Sequence, residues 1–330
     1  MDTPFRRIGA LAAAALFVVG ACSSGATASP SAAPSAAASP SAAASASAAA
    51  SASAAASASA AAASPIASLA ADQLIFPGKL VICSDIPYPP QEYFDAQGNP
   101  TGSDIDIGTE IAKRLGLTVQ IDNAVFDTII AAVTGGKCDI IISAQNITPD
   151  RVKQVDMIPY FQAGQSFVVT KGNPKAINTT NDLCGKSVAA ETGTTEVDYL
   201  NGTGTYKGKG LSAACVAAGK GKIDVKEFPK DPDAASALLG GQVDAYFADS
   251  PVAANYVVQH PDQFDLSGIP PLDPSIEGIS VPKDKTGLRD GVKAALLSMI
   301  SDGTYLNILK KYKVDTGAVT AADVNNINKS

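Results

Sequence analysis

The stretch DIDIGTEIAKRLGLTVQID, residues 104–122, runs from an amphipathic helical pattern directly into a strand pattern. Its apolar residues recur at helical spacing up to Gly116, which is a natural C-terminal stop. Apolar runs typical of strands lie on both sides, KLVICSD (79–85) and CDIIISA (138–144), and FDTIIAAVTGG (126–136) has a short helical pattern. This alternation of strand and helix predicts right-handed parallel crossovers, and therefore an α/β lobe.

The same alternation starts again after residue 164. Strand patterns are expected at QSFVVTKGN (165–173), KSVAAE (186–191), IDVKEF (223–228), DAYFAD (244–249) and EGISVPKD (277–284). Helical patterns are expected at 196–200, 233–239, 250–258, 287–303 and 304–314. Two α/β units with the chain passing between them predict a cleft, and open α/β sheets bind ligands beyond the carboxyl ends of their strands.

The N-terminus is typical of an exported protein. Arg6 and Arg7 precede an apolar run, residues 8–19, that is too short to span a membrane and ends in small residues. Residues 1–21 are therefore predicted to be a signal peptide, the alternative being an uncleaved anchor. The sequence around Cys22 resembles the bacterial lipoprotein signal box, which implies a lipid on its sulfur and places the protein in the cell envelope, on the outer face of the cytoplasmic membrane or in a periplasm.

Residues 22–72 are predicted to be a lipidated cysteine followed by a disordered tether. The stretch is almost only Ala, Ser and Pro, so it offers too little apolar surface to offset the loss of chain entropy on folding. The folded body is expected from about Asp72 to about Asp315.

Charge and histidine content exclude two classes of function. The formal net charge is −7 with no basic run, which argues against a nucleic-acid partner. His260 is the single histidine and no zinc-type cysteine spacing is present, so neither a metal nor another cofactor is predicted.

The four cysteines of the body fall into two pairs. Cys184 and Cys215 both sit beside loop-like sequence, and an exported chain permits a disulfide between them. Cys83 and Cys138 lie in or at the start of strand patterns and are expected to be buried thiols, a bond between them being the less favoured alternative.

The stretch SAQNITPDRVKQVD, residues 143–156, contains a candidate anion-binding residue. Thr148 is a good N-cap and Pro149 fits the first helical position, so Arg151 falls in the first turn. A cation there opposes the helix dipole unless the guanidinium and nearby backbone N–H groups share an anion. The alternative is a solvated arginine paired with Asp156.

Two further stretches place polar groups at strand ends. In ETGTTE (191–196) a turn precedes a helix whose N-terminus Thr194 or Thr195 can cap. The free N–H groups of this turn can bind an anion, the alternative being an ordinary capped helix. In ADSP (248–251), Ser250 is the expected N-cap, which leaves Asp249 free to pair with an ammonium group or to stabilise a turn.

Asp85 ends the first strand pattern, Tyr88 follows it between prolines, and Phe126 opens a helix. Both aromatic residues can form ligand walls or simply pack in the core. A carboxylate clamp, an ammonium partner and an apolar wall are what an α-amino acid zwitterion needs. No nucleophile–base pair is evident, so a binding protein is favoured over an enzyme.

Together these residues resemble the amino-acid-binding solute receptors of bacterial ABC importers, the family 3 extracellular solute-binding proteins, in a lipoprotein form. The resemblance covers about Lys79 to Val314. It implies an α/β, two-lobed type II periplasmic binding protein fold with a hinge and an interlobe cleft. Lobe 1 is expected to be 73–164 plus 283–316, lobe 2 165–282, and 317–330 a C-terminal tail.

The resemblance also implies roles for individual residues. Arg151 would clamp the ligand carboxylate with the backbone N–H of Thr195, and Asp249 would bind the α-ammonium. The implied ligand site comprises Asp85, Tyr88, Phe126, Ser143, Ala144, Asn146, Arg151, Thr194, Thr195, Glu196 and Asp249.

Two positions depart from the family pattern. Gln91 and Ser103 stand where an aromatic residue is frequent, which predicts a pocket adapted to a polar side chain. Asp85, Asp104 and Glu196 add negative potential and favour a cationic ligand such as lysine or arginine. Asp104 can equally serve only to cap a helix, and Glu196 only to favour a helix N-terminus.

The implied function is capture of a free amino acid by lobe closure and its delivery to an ABC permease, by a lipid-anchored monomer without a cofactor. One alternative is a cyclohexadienyl-type dehydratase on the same fold, with Glu92, Asp85 or Glu196 as acid or base. Another is a ligand-sensing lipoprotein.

Overall fold

The structure, a computed structural model, describes Ile66 and residues 69–329. The predicted signal peptide, the lipidated Cys22 and nearly all of the tether lie outside the described residues. Within the part that is described, no helix is both long and apolar enough to cross a membrane.

The strands of the described part follow the predicted positions with five additions. They are β1 (Lys79–Ser84), β2 (Tyr93–Phe94), β3 (Pro100–Thr101), β4 (Thr118–Asn123), β5 (Ile140–Ile141), β6 (Val155–Thr170), β7 (Ser187–Glu191), β8 (Asp224–Phe228), β9 (Ala245–Asp249), β10 (Phe264–Leu266) and β11 (Leu272–Pro282). The sequence patterns did not reveal β2, β3, β10 or the first halves of β6 and β11.

The helices are α1 (Ser103–Arg114), α2 (Ile129–Thr134), α3 (Pro149–Val152), α4 (Thr195–Asn201), α5 (Leu211–Ala217), α6 (Asp231–Leu239), α7 (Ser250–Gln259), α8 (Thr286–Ser301), α9 (Thr304–Lys311) and α10 (Ala321–Val324). Short 3₁₀ turns lie at Ala71–Gln73, Phe126–Thr128, Thr180–Leu183, Gly204–Tyr206 and Asp315–Gly317. Helices α5 and α10 were not predicted.

One continuous sheet runs through two lobes in the order β4-β1-β5-β11-β6-β9-β7-β8, and β10 pairs with β6. In lobe 1, β1 pairs in parallel with β4 and β5; in lobe 2, β7 pairs in parallel with β8 and β9. The two parallel parts are joined by the antiparallel pair β6 and β11. The chain therefore crosses between the lobes along β6 and returns along β11, and the partner of β6 changes from β11 to β9 near Gln165.

Each lobe has apolar cores on both faces of its sheet. In lobe 1, α8 could be predicted from the sequence because its buried residues recur every three or four positions. They form one stripe on the helix: Leu288, Val292, Ala295, Leu296 and Met299. Each large side chain of this kind that is fully buried stabilises the fold by about 1.5–3 kcal/mol. Lobe 2 buries smaller residues of α6 and α7 on one face and of α4 and α5 on the other.

The packed body continues beyond Asp315, where the sequence predicted its end. Val319 and Val324 are buried in the lobe 1 core, and the Thr320 side chain caps α10. Asn328 Oδ1 accepts a hydrogen bond from the backbone N–H of Met157 at 2.7 Å. The residues expected to form a tail, up to 329, are therefore part of lobe 1.

The prediction that Cys83 and Cys138 stay as thiols is wrong. Their sulfur atoms are bonded, and their Cα atoms lie 5.7 Å apart. Cys83 is on β1 and Cys138 precedes β5, so the parallel pairing of these strands brings together residues that are 55 positions apart. Cys184 and Cys215 form a second disulfide in lobe 2.

Candidate functional site

A cavity lies between the lobes, where the carboxyl ends of β1, β7 and β9 face each other. The space between its walls is about 320 Å³ when it is counted out to the solvent at the mouth. The structure brings all eleven residues of the predicted site to its wall, together with two that were not in that set: Asp85, Tyr88, Glu92, Phe126, Ser143, Ala144, Asn146, Arg151, Glu191, Thr194, Thr195, Glu196 and Asp249.

Arg151 is held by its own short helix and by carbonyl groups. Thr148 caps α3 by accepting from the Arg151 backbone N–H at 3.3 Å. The guanidinium donates to Asn146 O at 2.9 Å and to Gly193 O at 3.2 Å, and it lies 5.2 Å from the centre of the Phe126 ring. These bonds use two of five N–H donors, so the group can still receive an anion.

The alternative partner for Arg151 is excluded. Asp156 pairs instead with Arg289 at 3.0 Å and Lys283 at 3.3 Å. Within the described residues, Arg151 forms no ion pair with a carboxylate, although Glu196 and Asp249 share its cavity.

The turn before α4 leaves its N–H groups without a side-chain cap. Thr194 occupies the capping position, but its hydroxyl donates to Glu191 O at 2.6 Å. The hydroxyl of Thr195 accepts from Asn146 Nδ2 at 2.7 Å and from Gln165 Nε2 at 2.9 Å. An anion at the cavity wall could therefore accept from the first-turn N–H groups of α4.

Tyr88 and Asp249 meet across the cavity. Tyr88 Oη donates to Asp249 Oδ2 at 3.0 Å and accepts from the Asp249 backbone N–H at 3.1 Å. Asp249 itself occupies the capping position of α7, one residue earlier than expected, and the hydroxyl of Ser250 bonds to that of Ser166. Asp249 Oδ1 is buried and has no partner among the described residues.

Two acidic residues complete the wall. Glu92 Oε1 accepts from Ser143 Oγ at 2.7 Å, and the same hydroxyl accepts from the Asp85 backbone N–H at 2.8 Å. From the sequence, Glu92 was a candidate only for the acid or base of a dehydratase. Glu191 is the last residue of β7, so its position at the carboxyl end of a parallel strand was the available signal.

Three residues expected to tune the pocket do not line it. Gln91 is buried behind the wall, where its Nε2 donates to Glu277 Oε2 on β11 at 2.9 Å. Ser103 is also buried in the first turn of α1. Asp104 does not cap α1: its Oδ2 accepts from Tyr160 Oη at 2.5 Å and from the Ala144 N–H at 3.1 Å.

Ala144 has a left-handed backbone conformation, with φ at 44°. This residue follows the short strand β5, which ends at Ile141 rather than continuing to Ala144 as predicted. The bend turns the chain from the sheet towards the cavity, where non-glycine residues in this conformation often mark functional sites.

Burial dominates the electrostatics of the cavity. It raises the pKa of Glu191 to about 10, with a further contribution from the neighbouring Asp85 carboxyl. It also raises the pKa of Glu196 to about 7 and the pKa values of Asp249 and Glu92 well above their usual range. Each of these carboxyl groups has one buried oxygen with no described partner: Glu92 Oε2, Glu191 Oε1, Glu196 Oε1 and Asp249 Oδ1. A cation in the cavity would bond to these oxygens and lower the pKa values.

We expect the ligand-free protein to lose stability between pH 5 and pH 8. Burial raises the pKa of Asp104 to about 6 and those of Glu196 and Asp231 to about 7, above the values near 4 of an unfolded chain. The folded state therefore binds more protons in this window, and the deprotonation of each of these three groups lowers the free energy of unfolding by roughly 1–3 kcal/mol. Urea unfolding at pH 5 and at pH 8 measures the difference in the free energy of unfolding. The Glu196→Gln variant should show a smaller loss, and stability that is flat or rising towards pH 8 would contradict the assignment.

No group of three or more His, Cys, Asp or Glu side chains is arranged to hold a metal ion in the part of the chain that the structure covers. The cavity offers carboxyl, amide, hydroxyl and guanidinium groups to a polar ligand.

The chain is similar to known binding proteins over most of its length. The lysine/arginine/ornithine-binding periplasmic protein of Escherichia coli strain K12 is 28% identical over 254 residues, which is 75% of this chain and 92% of that protein. The histidine-binding periplasmic protein of Salmonella typhimurium strain LT2 is 28% identical over 252 residues, with coverage of 74% and 92%.

Two solved structures share the fold. An ancestral arginine-binding protein bound to arginine is similar with a TM-score of 0.63 and 35% identity, covering 71% of this chain and 98% of that chain. An ancestral amino-acid-binding protein described as a precursor of cyclohexadienyl dehydratase has a TM-score of 0.62 and 31% identity, with coverage of 71% and 95%. These likenesses confirm the predicted two-lobed α/β fold class.

The profile of the bacterial extracellular solute-binding proteins, family 3, matches residues 80–315, which span both lobes and every residue of the cavity wall. The chain therefore belongs to this family of solute-binding proteins.

Proposed function

We propose that this protein is an extracytoplasmic receptor that captures a free L-amino acid with a cationic side chain and delivers it to an ABC permease. The observation that carries the proposal is the charge arrangement of one cavity, where Arg151 faces Asp249 and four further carboxyl groups complete the wall. Such a ligand needs one cation for its carboxylate and one carboxylate for its ammonium group, which Arg151 and Asp249 would supply. The four further carboxyl groups would suit a cationic side chain.

The proposed orientation of the ligand follows from the free donors and acceptors. Its carboxylate would accept from the Arg151 guanidinium and from the first-turn N–H groups of α4, which lack a side-chain cap. Its ammonium group would donate to Asp249 Oδ1, which has no described partner. Its side-chain cation would meet the buried oxygens of Glu191 and Glu92, while Tyr88 and Phe126 would pack on the methylene groups.

The proposed mechanism is closure of the lobes on the ligand. Arg151 and Tyr88 belong to lobe 1, whereas Thr195 and Asp249 belong to lobe 2. Only a closed arrangement brings both sets of groups to one ligand, so binding shifts the equilibrium towards closure. We propose that the closed form docks on the permease as a monomer, tethered to the membrane through a lipid on Cys22.

A thermal-shift screen of the refolded, ligand-free protein against the common amino acids, followed by calorimetry, tests this function. A true ligand at about 100 times its dissociation constant adds roughly 2.7 kcal/mol to the free energy of unfolding. We expect the largest shift with arginine or lysine, and loss of that shift in Asp249→Asn, which keeps the shape of the side chain but removes its charge. No shift with any L-amino acid would overturn the proposal.

A second candidate function is acid–base catalysis by the same cavity. In the absence of a ligand cation, a buried carboxyl whose pKa is raised to about 10, as at Glu191, keeps its proton at neutral pH and could act as a general acid. A dehydratase would convert prephenate-like compounds, and formation of the aromatic product can be followed by ultraviolet absorbance. If the protein converts such a compound and the Glu191→Gln variant does not, the enzyme is favoured. If the protein binds arginine and converts no such compound, the receptor is favoured.

A further inference from the structure

An ion pair joins the two lobes at the edge of the cavity. Lys230 lies in lobe 2, between β8 and α6, and its ammonium group contacts Asp85 Oδ1 at the end of β1 in lobe 1. The same ammonium donates to Ala124 O, also in lobe 1, at 2.8 Å. Among the described residues this is the one ion pair between the lobes, because the others each lie within a single lobe.

Both carboxylate oxygens of Asp85 accept from donors of the chain itself. Asp85 Oδ2 accepts from the Phe126 backbone N–H at 2.6 Å, and Oδ1 contacts Lys230. The Asp85 side chain is 4% exposed while that of Lys230 is 26% exposed, so the lysine reaches inward from the rim to a buried carboxylate. Glu191, which shares the cavity wall with Asp85, keeps an oxygen with no described partner.

We propose that Lys230 is a specificity-determining clasp: it competes with the ligand's own side-chain cation for Asp85 and helps to hold the lobes together. Asp85 lines the cavity, so a cationic ligand would gain a second acidic partner there if Lys230 were absent. With Lys230 in place, the distal charge of the ligand is met by Glu191 rather than by Asp85. The specificity part of this inference rests on the proposed function, whereas the clasp does not.

The test is the Lys230→Met variant, which keeps the length of the side chain and removes its charge. Loss of the clasp should lower the fraction of closed protein and weaken all ligands by the same factor. Release of Asp85 should favour only a cationic ligand. The ratio of the dissociation constants of L-citrulline and L-arginine, which differ mainly in the charge of the side-chain end, cancels the first effect and reports the second.

We expect this ratio to rise about tenfold in Lys230→Met, as for one added charge-assisted hydrogen bond. Asp85→Asn should break the clasp without raising the ratio. The matched control is Lys226→Met, which removes the same charge from lobe 2 but pairs only with Asp224 on its own strand. An unchanged ratio in Lys230→Met, or an equal rise in the control, would overturn the competition with the ligand.

Small-angle X-ray scattering of the ligand-free proteins tests the clasp independently of any ligand. We expect a larger radius of gyration for Lys230→Met and Asp85→Asn than for the unaltered protein and Lys226→Met. Equal radii for all four proteins would overturn the clasp. If the unaltered protein binds no L-amino acid in the thermal-shift screen, the proposed function and the specificity part fail together, and the scattering still decides the clasp.

Discussion

Replacing Arg151 by methionine is expected to weaken amino-acid binding about a thousandfold. Among the residues that the structure describes, Arg151 is the one cationic residue on the cavity wall, and the remaining donors of its guanidinium suit the two oxygens of a carboxylate. Removing one partner of such a shielded charge pair costs about 3–5 kcal/mol, because the ligand carboxylate would be left buried and unpaired. Calorimetry with the amino acid that gives the largest thermal shift measures the loss.

The controls for this prediction separate charge, geometry and folding. Arg151→Lys keeps the charge but loses the planar fork, so its affinity should fall between those of the unaltered protein and Arg151→Met. Lys153→Met removes an exposed cation two residues away and should leave affinity unchanged, since Lys153 pairs only with Asp150. An affinity for Arg151→Met within threefold of the unaltered protein would refute the role of Arg151.

Gly102→Ala should be the most destabilising of the substitutions considered, by about 3–5 kcal/mol. Gly102 precedes α1 with φ at 128° and ψ at 170°, a conformation that is essentially restricted to glycine. A Cβ atom there would overlap the carbonyl group of Gln91 and lie 2.9 Å from Glu92 Cα. Both neighbours are backbone, so the clash would have to displace the segment that carries Glu92 or the start of α1.

Gly98→Ala is the matched control for this glycine. Gly98 lies in the same β2–β3 hairpin region with φ at 84°, but an added Cβ would meet nothing within 4 Å. Its cost should be only about 1 kcal/mol. Urea unfolding midpoints with both disulfides intact compare the two variants. Similar midpoints for Gly98→Ala and Gly102→Ala would show that the close approach to Gln91 is not rigid.

Local sequence signals predicted the parts of the site that depend on neighbouring residues. Thr148 and Pro149 marked the start of α3, and this start places Arg151 in the first turn of the helix. The strand ends at Asp85 and Asp249 followed from apolar runs that stop at an acidic residue. These signals act over a few positions, because caps and periodicity reflect hydrogen bonds and packing within one element.

The environment of the acidic residues could not be predicted in this way. Asp104 was expected to cap a helix or to face the ligand, yet it bonds to Tyr160 behind the wall. Gln91 was expected to shape the pocket, yet it bonds to Glu277, 186 residues away. Each of these side chains could have pointed to either side of its segment, and only the tertiary contacts with Tyr160 on β6 and Glu277 on β11 select one side.

The sequence by itself determined the alternation of strands and helices, the turns that carry Arg151, Thr195 and Asp249, and the resemblance to a family of receptors. It did so because periodicity, capping and turn chemistry are local properties. Only the tertiary structure decided the Cys83–Cys138 bond, the ion pair between Lys230 and Asp85, and the burial that raises the carboxyl pKa values. The cysteines are 55 positions apart and meet because parallel strands pair, whereas Lys230 and Asp85 are 145 positions apart and meet where the two lobes approach. Such contacts, and the desolvation of the carboxyl groups, exist only in the folded chain.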